Sequence, residues 1–341
     1  MTAPPEPRFD HLLSMTDGRA TFEHALLTAP RREHGYCSDD MARVLVVTAR
    51  EPDASADVSR LRRKSFRFLA DAQGHDGGFR NRMRPDGRWA DQPAFGDWWG
   101  RSLWGLGTLI ARVPDGAGAA LAARQFAHSA RRRSAWVRAM AFAALGAAEV
   151  LAVDPSDHEA RRLLADAADR VSAARDGSAW QWPEPRLSYA NAVLPEVLIA
   201  AGTLLDTPRL VRQGLDLLGW LLDHETVGGH LSVTPAGGGG PGAPRPAFDQ
   251  QPIEVAALAD ACARAAAVDG DACWSRGVVA AVAWFLGDND GGRVMWDPHT
   301  GGGYDGLHAT GPNRNQGAES TLALLATLQH ARRPAPVSVA T

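Results

Sequence analysis

Residues 190–205 read ANAVLPEVLIAAGTLL. After Asn191 the one charged side chain is Glu196, and apolar residues fall on every face of a 3.6-residue helix instead of on one stripe. A helix apolar all round is buried on every side. No run in the 341 residues approaches the roughly 20 apolar positions that a bilayer span needs, so other helices must do the burying.

Five more segments share this character after a polar start: 40–49, 101–110, 137–150, 252–267 and 317–328. Between them lie amphipathic segments with Arg and Asp on one face, at 58–72, 119–132, 158–175, 209–224 and 271–286. The two kinds alternate, and a helix expected at 20–29 supplies the missing first partner. The polar residues that start the apolar helices, Asp40, Arg101, Arg138, Asn191, Glu254 and Glu319, mark an irregular repeat of one helical hairpin. Six buried helices inside six amphipathic ones predict an all-α fold, the (α/α)6 toroid. One toroid domain is expected over residues 1–331, with 332–341 a disordered tail.

The connectors carry a recurring glycine turn: Asp76-Gly77-Gly78-Phe79, Asp176-Gly177-Ser178-Ala179-Trp180, Val227-Gly228-Gly229-His230-Leu231 and Asp290-Gly291-Gly292-Arg293-Val294. Glycine supplies positive φ, and the apolar residue after it is expected to open a short strand, giving small β-hairpin connectors. These connectors lead into the N-terminal ends of the inner helices, so they gather at one mouth of the ring, where a site is expected. Within one of them, Gly237 to Gly242 reads as a flexible flap or as disorder.

Composition narrows the partners. With 45% hydrophobic and 22% charged residues and a net charge of −3, the chain offers no electrostatic reason to bind nucleic acid or an anionic membrane. Cys37, Cys262 and Cys273 lack metal or disulfide spacing, which fits a reducing compartment, and the N-terminus lacks a signal-peptide pattern. A cytoplasmic location is the expectation.

The helix starts bring a distinctive set of side chains to the mouth: Asp39, Asp40 and Arg43; Asp97, Trp98, Trp99 and Arg101; Trp136 and Arg138; Tyr189 and Asn191. Asp249, Gln250, Gln251 and Glu254 follow, then Asn313, Asn315, Gln316 and Glu319. Amides and carboxylates take hydroxyl hydrogen bonds, and indoles offer apolar faces to sugar rings. Eleven tryptophans against three tyrosines, with Trp89, Trp98, Trp99, Trp180, Trp182 and Trp296 in connectors, fit a saccharide site.

The adjacent aspartates of His34-Gly35-Tyr36-Cys37-Ser38-Asp39-Asp40 have two readings. Ser38 or either aspartate can cap the helix and meet its dipole. A cap uses one carboxylate, however, and a second beside the lumen must be matched by Arg43, Arg101 or a ligand. Glycoside hydrolysis needs a protonated carboxylic acid and a second carboxylate, roughly 5–5.5 Å away for retention or 6.5–9.5 Å for inversion. Asp39 and Asp40 form one such pair, and Glu254 or Glu319 across the ring supplies another. Both glutamates also sit where a helix dipole alone favours an acid. Asp305 reads as a turn residue.

The segments EHGYCSDDMARVLVV, GRSLWGLGTLI, LSYANAVLPEVLIAAG, FDQQPIEVAALADAC, WFLGDNDGG, TGGGYDGL and NRNQGAESTLALL together resemble a bacterial family of glycosyltransferase-associated toroid proteins. The resemblance spans residues 10 to 330. It implies the six-hairpin fold, a carbohydrate setting and a glycosyltransferase as partner. Asp39-Asp40 is also similar to the paired catalytic aspartates of endo-α-1,6-mannanases, which would make the two residues nucleophile and acid/base on an α-mannan-like glycan.

The leading expectation is a glycoside hydrolase acting on an oligosaccharide or polysaccharide without metal or organic cofactor. Its catalytic candidates are Asp39, Asp40, Glu254 and Glu319. Its substrate-binding candidates are His34, Arg43, Asp97, Trp98, Trp99, Arg101, Trp182, Tyr189, Asn191, Asp249, Gln250, Gln251, Asn315 and Gln316. A sugar epimerase or isomerase on the same fold would instead use mouth histidines, with His34, His230 and His308 available. A non-catalytic glycan-binding protein would have the aromatics and amides but no carboxylate pair at catalytic spacing.

Overall fold

A computed structural model describes residues 4–114, 118–172 and 180–332. The six apolar segments form α2 (Ser38–Arg50), α4 (Asp97–Arg112), α6 (Val137–Val153), α8 (Val193–Leu204), α10 (Pro252–Ala266) and α12 (Ala318–Arg332). Each packs on the next and α12 packs back on α2, so the ring closes. The amphipathic α3 (Ala56–Ala72), α5 (Ala119–Ala130), α7 (His158–Ser172), α9 (Pro208–His224) and α11 (Ala272–Leu286) each cover the inner helix that precedes them in the chain. The architecture is the (α/α)6 toroid.

One expected helix does not form. Residues 20–29 lead instead into a hairpin of β1 (Ala25–Leu26) and β2 (Ala29–Pro30), turned at Leu27 with φ 52°. Thr21, Thr28 and Pro30 weaken a helix there. A five-residue helix, α1 (Asp10–Ser14), takes the sixth outer place against α12 and α3.

Inner helices meet at close range because their facing residues are small. A Cβ at Gly107 of α4 would come within 2.2 Å of the Gly146 carbonyl oxygen of α6, a distance that only glycine tolerates. That close approach lets α4 and α6 pack along their length.

The remaining strand pairs are β3 (Tyr36–Cys37) with β4 (Arg82–Met83), brought together across α2 and α3, and the hairpins of β5 (Thr226–Val227) with β6 (His230–Leu231) and β7 (Leu307–His308) with β8 (Gly311–Pro312). All precede inner-helix N-termini, so they stand around the expected mouth. The Gly237–Gly242 stretch is pinned: the Leu187 and Gly239 backbones exchange hydrogen bonds of 2.6 and 3.1 Å. Most of the expected turn at 176–180, the end of the expected helix at 158–175, and the tail after Arg332 lie outside the described residues.

Candidate functional site

The first turn of α2 decides what its aspartates do. Cys37, not an aspartate, caps the helix, its sulfur accepting the Asp40 N–H at 3.4 Å. Both carboxylates are therefore free to turn toward the lumen. There Arg43, one turn on, donates from Nη2 to Asp39 Oδ2 and to Asp40 Oδ1, each at 2.8 Å, and from Nη1 to Glu319 Oε2 of α12 at 2.6 Å. Arg101 of α4 donates to the same Asp39 oxygen while its guanidinium lies 4.3 Å over the Phe142 ring. Asp39 Oδ1 is buried without a partner among the described residues.

Two guanidinium cations thus face three carboxyls, and the imbalance favours keeping a proton. Burial pushes Asp40 up to about 7; repulsion from Asp39 and Glu23 adds to this, against the pull of Arg43 and a 3.0 Å hydrogen bond from the Cys37 thiol. Burial would raise Glu319 as well, but Arg43 and Arg101 outweigh it and hold this carboxyl below its ordinary value. Asp305 is raised by burial and then by Glu319, with Asn315 opposing through a hydrogen bond. One space therefore holds carboxyls tuned in opposite directions.

That space is a cavity of about 390 Å³ at the N-terminal ends of the inner helices. Asp39, Asp40, Arg43, Asp97, Trp98, Arg101, Tyr189, Gln251 and Glu319 all line it, as the helix starts led one to expect. Trp98 is fixed by its indole N–H on the Phe79 carbonyl at 2.6 Å, and the Tyr189 hydroxyl donates to Asp97 across the rim.

Other expected site residues stand behind this surface. Glu254 accepts the backbone N–H groups of Ala190 and Asn191 and the Asn191 amide, holding a turn in which Ala190 has φ 45°. Burial, and then Glu225, push it up to about 8, but it does not line the cavity. Trp99 and Trp182 are fully buried, Trp182 against Trp220. Gln250 is locked between Asp290 and the Trp284 indole, and the Gln316 carbonyl meets the His11 ring at 2.7 Å. Asp249 pairs with His308 at 3.2 Å, and His230 with Asp290 at 3.3 Å, both outside the cavity lining. Asn315 donates to His24, whose ring meets His34 edge-on at 4.8 Å.

Seven lining residues were not among the candidates: Cys37 and Ile253 at the starts of α2 and α10, and Glu23, His24, Asn81, Arg82 and Asp305. The last five lie in connectors. Only the β3–β4 register brings Asn81 and Arg82 beside α2, where Asn81 accepts the Asp39 N–H and Arg82 pairs with Glu23. Asp305, whose YDG context suggested a turn, had no signal beyond its carboxylate.

Among the described residues, the group with ligand atoms close enough for a metal ion is Glu23, Cys37 and Asp40, all within 4.8 Å of one another. Its carboxylates already face Arg82 and Arg43, and burial followed by the Asp40 charge pushes the Cys37 thiol well up. The geometry favours a protonated thiol that donates to Asp40.

Below the cavity, past Arg43 and Glu319, lies an apolar chamber of about 50 Å³ walled by Val46, Trp104, Phe142 and Leu322. Its floor is ionic: Arg50 meets Asp260 at 2.6 Å with His330 alongside, Arg264 meets Glu196 at 2.9 Å, and Arg112 meets Glu149 at 3.2 Å.

No family model matches the chain, and no curated protein matches it. Solved structures do share its fold. A sugar epimerase from a ruminal bacterium superimposes with a TM-score of 0.72 over 95% of both chains at 12% identity. Cellobiose 2-epimerase from Spirochaeta thermophila gives 0.68 at 13% identity, covering 94% of this chain and 92% of the other. A metagenome-derived family 9 endoglucanase gives 0.57 at 12% identity, covering 92% of this chain and 70% of the other. At such identities the likeness concerns the toroid, which has hosted both epimerase and hydrolase sites.

Proposed function

We propose that the protein is a carbohydrate-active enzyme, a glycoside hydrolase in which Asp40 is the proton donor and Glu319, with Asp39 beside it, supplies the ionised carboxylate. The observation that carries this reading is the opposite tuning of Asp40 and Glu319 around a single arginine in one cavity. Acid and base roles are assigned where the environment drives two titratable groups apart. Asp40 would protonate the glycosidic oxygen as the bond to the anomeric carbon breaks, and the ionised partner would stabilise or attack the developing positive charge, directly or through water. Arg43 and Arg101 keep that partner charged. Trp98 and Tyr189 offer ring faces, and Gln251 and Asn81 offer amides for hydroxyls. The endoglucanase neighbour is consistent with this use of the toroid.

The epimerase neighbours and the His24–His34 pair at the cavity edge favour a second reading, acid/base chemistry at a sugar carbon. One experiment separates the two. Wild type, Asp40→Asn and Glu319→Gln are incubated with α-1,6-mannan, cello-oligosaccharides and a panel of other α- and β-linked glycans, and products are followed by mass spectrometry and NMR. Hydrolysis that disappears in both folded variants supports the hydrolase. New epimers without chain cleavage, lost in His24→Ala, support the epimerase. Binding without turnover supports a lectin-like role, and neither binding nor turnover of any glycan overturns the carbohydrate reading.

A further inference from the structure

The mouth is walled unevenly. Connectors of twenty or more residues precede α4, α10 and α12, at 73–96, 225–251 and 287–317, and the described residues 180–192 precede α8. The connector before α6 is six residues long, 131–136. No residue of α6 lines the cavity; the cavity ends on that side at the hydrogen bond between Tyr189 and Asp97. The wall is therefore lowest at α6, and that hydrogen bond is its sill.

At the mouth end of α6 stands its N-cap residue, Trp136, tied through Ser134 to Phe95, two residues before Asp97. It is 69% exposed, whereas the other ten tryptophans are buried or half-buried. Among the described residues its indole stacks on no ring and its indole N–H has no partner. Trp136 and Tyr189, itself 38% exposed, are the only large exposed aromatics among the described residues; Tyr189 lines the cavity, and Trp136 stands outside its lining at the same end of the ring. Arg138, two residues after Trp136 in the chain, donates to the Tyr189 carbonyl at 2.7 Å and lies 5.6 Å over its ring, which ties the start of α6 to Tyr189.

Exposure here does not mean looseness. The Trp136 N–H donates to Ser134 Oγ at 3.1 Å, that hydroxyl donates to the Phe95 carbonyl at 2.6 Å, and the Trp136 carbonyl accepts the Met140 N–H at 3.1 Å. The backbone that carries the indole is thus fixed, and a tryptophan side chain, with only two χ angles to order, presents a flat apolar face at small entropic cost.

We propose that Trp136 is the platform of an outer sugar subsite. The glycan would then be a chain that leaves the cavity over the Tyr189–Asp97 sill and lays a distal ring on Trp136, not a single sugar held wholly inside. This deepens the carbohydrate reading above and rests on it. The chemistry is the C–H face of a pyranose against the indole, with the indole N–H open to a hydroxyl.

The test labels the full chain with 5-fluorotryptophan and assigns the Trp136 fluorine resonance with Trp136→Phe. Mono-, di- and hexasaccharides of whichever panel glycan is cleaved or bound are then titrated in. The hexasaccharide is expected to shift the Trp136 resonance and the monosaccharide to leave it in place. Trp136→Ala is expected to lower the hexasaccharide-to-disaccharide ratio of kcat/KM, or of affinity for a glycan bound without turnover, roughly 3- to 10-fold. Trp136→Phe is expected to recover most of that ratio. A hexasaccharide that shifts other tryptophan resonances but not that of Trp136, with the ratio unchanged, overturns the subsite and leaves the carbohydrate reading intact. A panel in which no glycan is bound or turned over overturns both.

Discussion

The two ends of the toroid's lumen each hold a cluster of largely buried charge, and they differ in stoichiometry and in what they line. At the floor, Asp260, Glu196 and Glu149 meet Arg50, Arg264 and Arg112, one cation for each anion, with His330 added. Burial alone would raise Asp260, yet Arg50 and His330 drive it well below its ordinary value; Glu196 is pushed up to about 7 by burial despite Arg264. An apolar chamber separates this cluster from the mouth. At the mouth, two arginines serve Asp39, Asp40 and Glu319, and the cluster lines an open cavity. The floor cluster is matched charge for charge and joins helices. The mouth cluster is acid-rich and lines the cavity, where a proton can be given to a ligand.

That contrast breaks most readily at the mouth. Asp40→Asn or Glu319→Gln is expected to lower kcat/KM by roughly 10²- to 10⁴-fold while the protein stays folded, checked by glycan cleavage beside circular dichroism. If both variants cleave like wild type, the mouth is as structural as the floor. At the floor, Asp260→Ala strands Arg50 and is expected to cost about 3–5 kcal/mol in denaturant unfolding. Its turnover per folded molecule should stay near that of wild type.

The pH profile sharpens the same comparison. Proton donation by Asp40 requires its acid form, so kcat/KM should fall as pH rises through about 7. Glu319 must be ionised, so the acid limb should lie below its ordinary 4.5. Cys37→Ala removes a hydrogen bond that favours the Asp40 carboxylate and should move the alkaline limb upward, whereas Cys37→Ser keeps a donor there. A limb that does not move in Cys37→Ala would detach Asp40 from the rate.

The comparison extends to Glu254, the carboxylate behind the mouth, where the effect falls on stability alone. Its folded pKa of about 8 lies above the ordinary 4.5, so the folded state holds the extra proton. Its contribution to stability should be complete below 4.5 and be lost as pH rises toward 8. Glu254→Gln should flatten that part of the urea-stability profile without shifting the activity limbs.

The sequence by itself determined the ring. All-round apolarity in segments such as 190–205 leaves a helix nowhere to go but inside others, and the alternation with Arg- and Asp-faced helices sets the hairpin order. It also determined that Asp39, Asp40, Arg43, Arg101 and Glu319 would share one end, because each lies at or near the start of an inner helix. The first outer position escaped it: 20–29 has apolar residues at helical spacing, but local turn chemistry at Leu27 to Pro30 prevails. Only the tertiary structure decided which polar residues face the lumen. Glu254 and Glu319 occupy equivalent first turns, yet one folds back on the Ala190–Asn191 backbone and the other meets Arg43 across the ring. Asn81, Arg82 and Asp305 reach the cavity through connectors whose paths are fixed by pairing with distant chain. Helical periodicity places a side chain on its own helix; which charge it meets depends on neighbours hundreds of residues away.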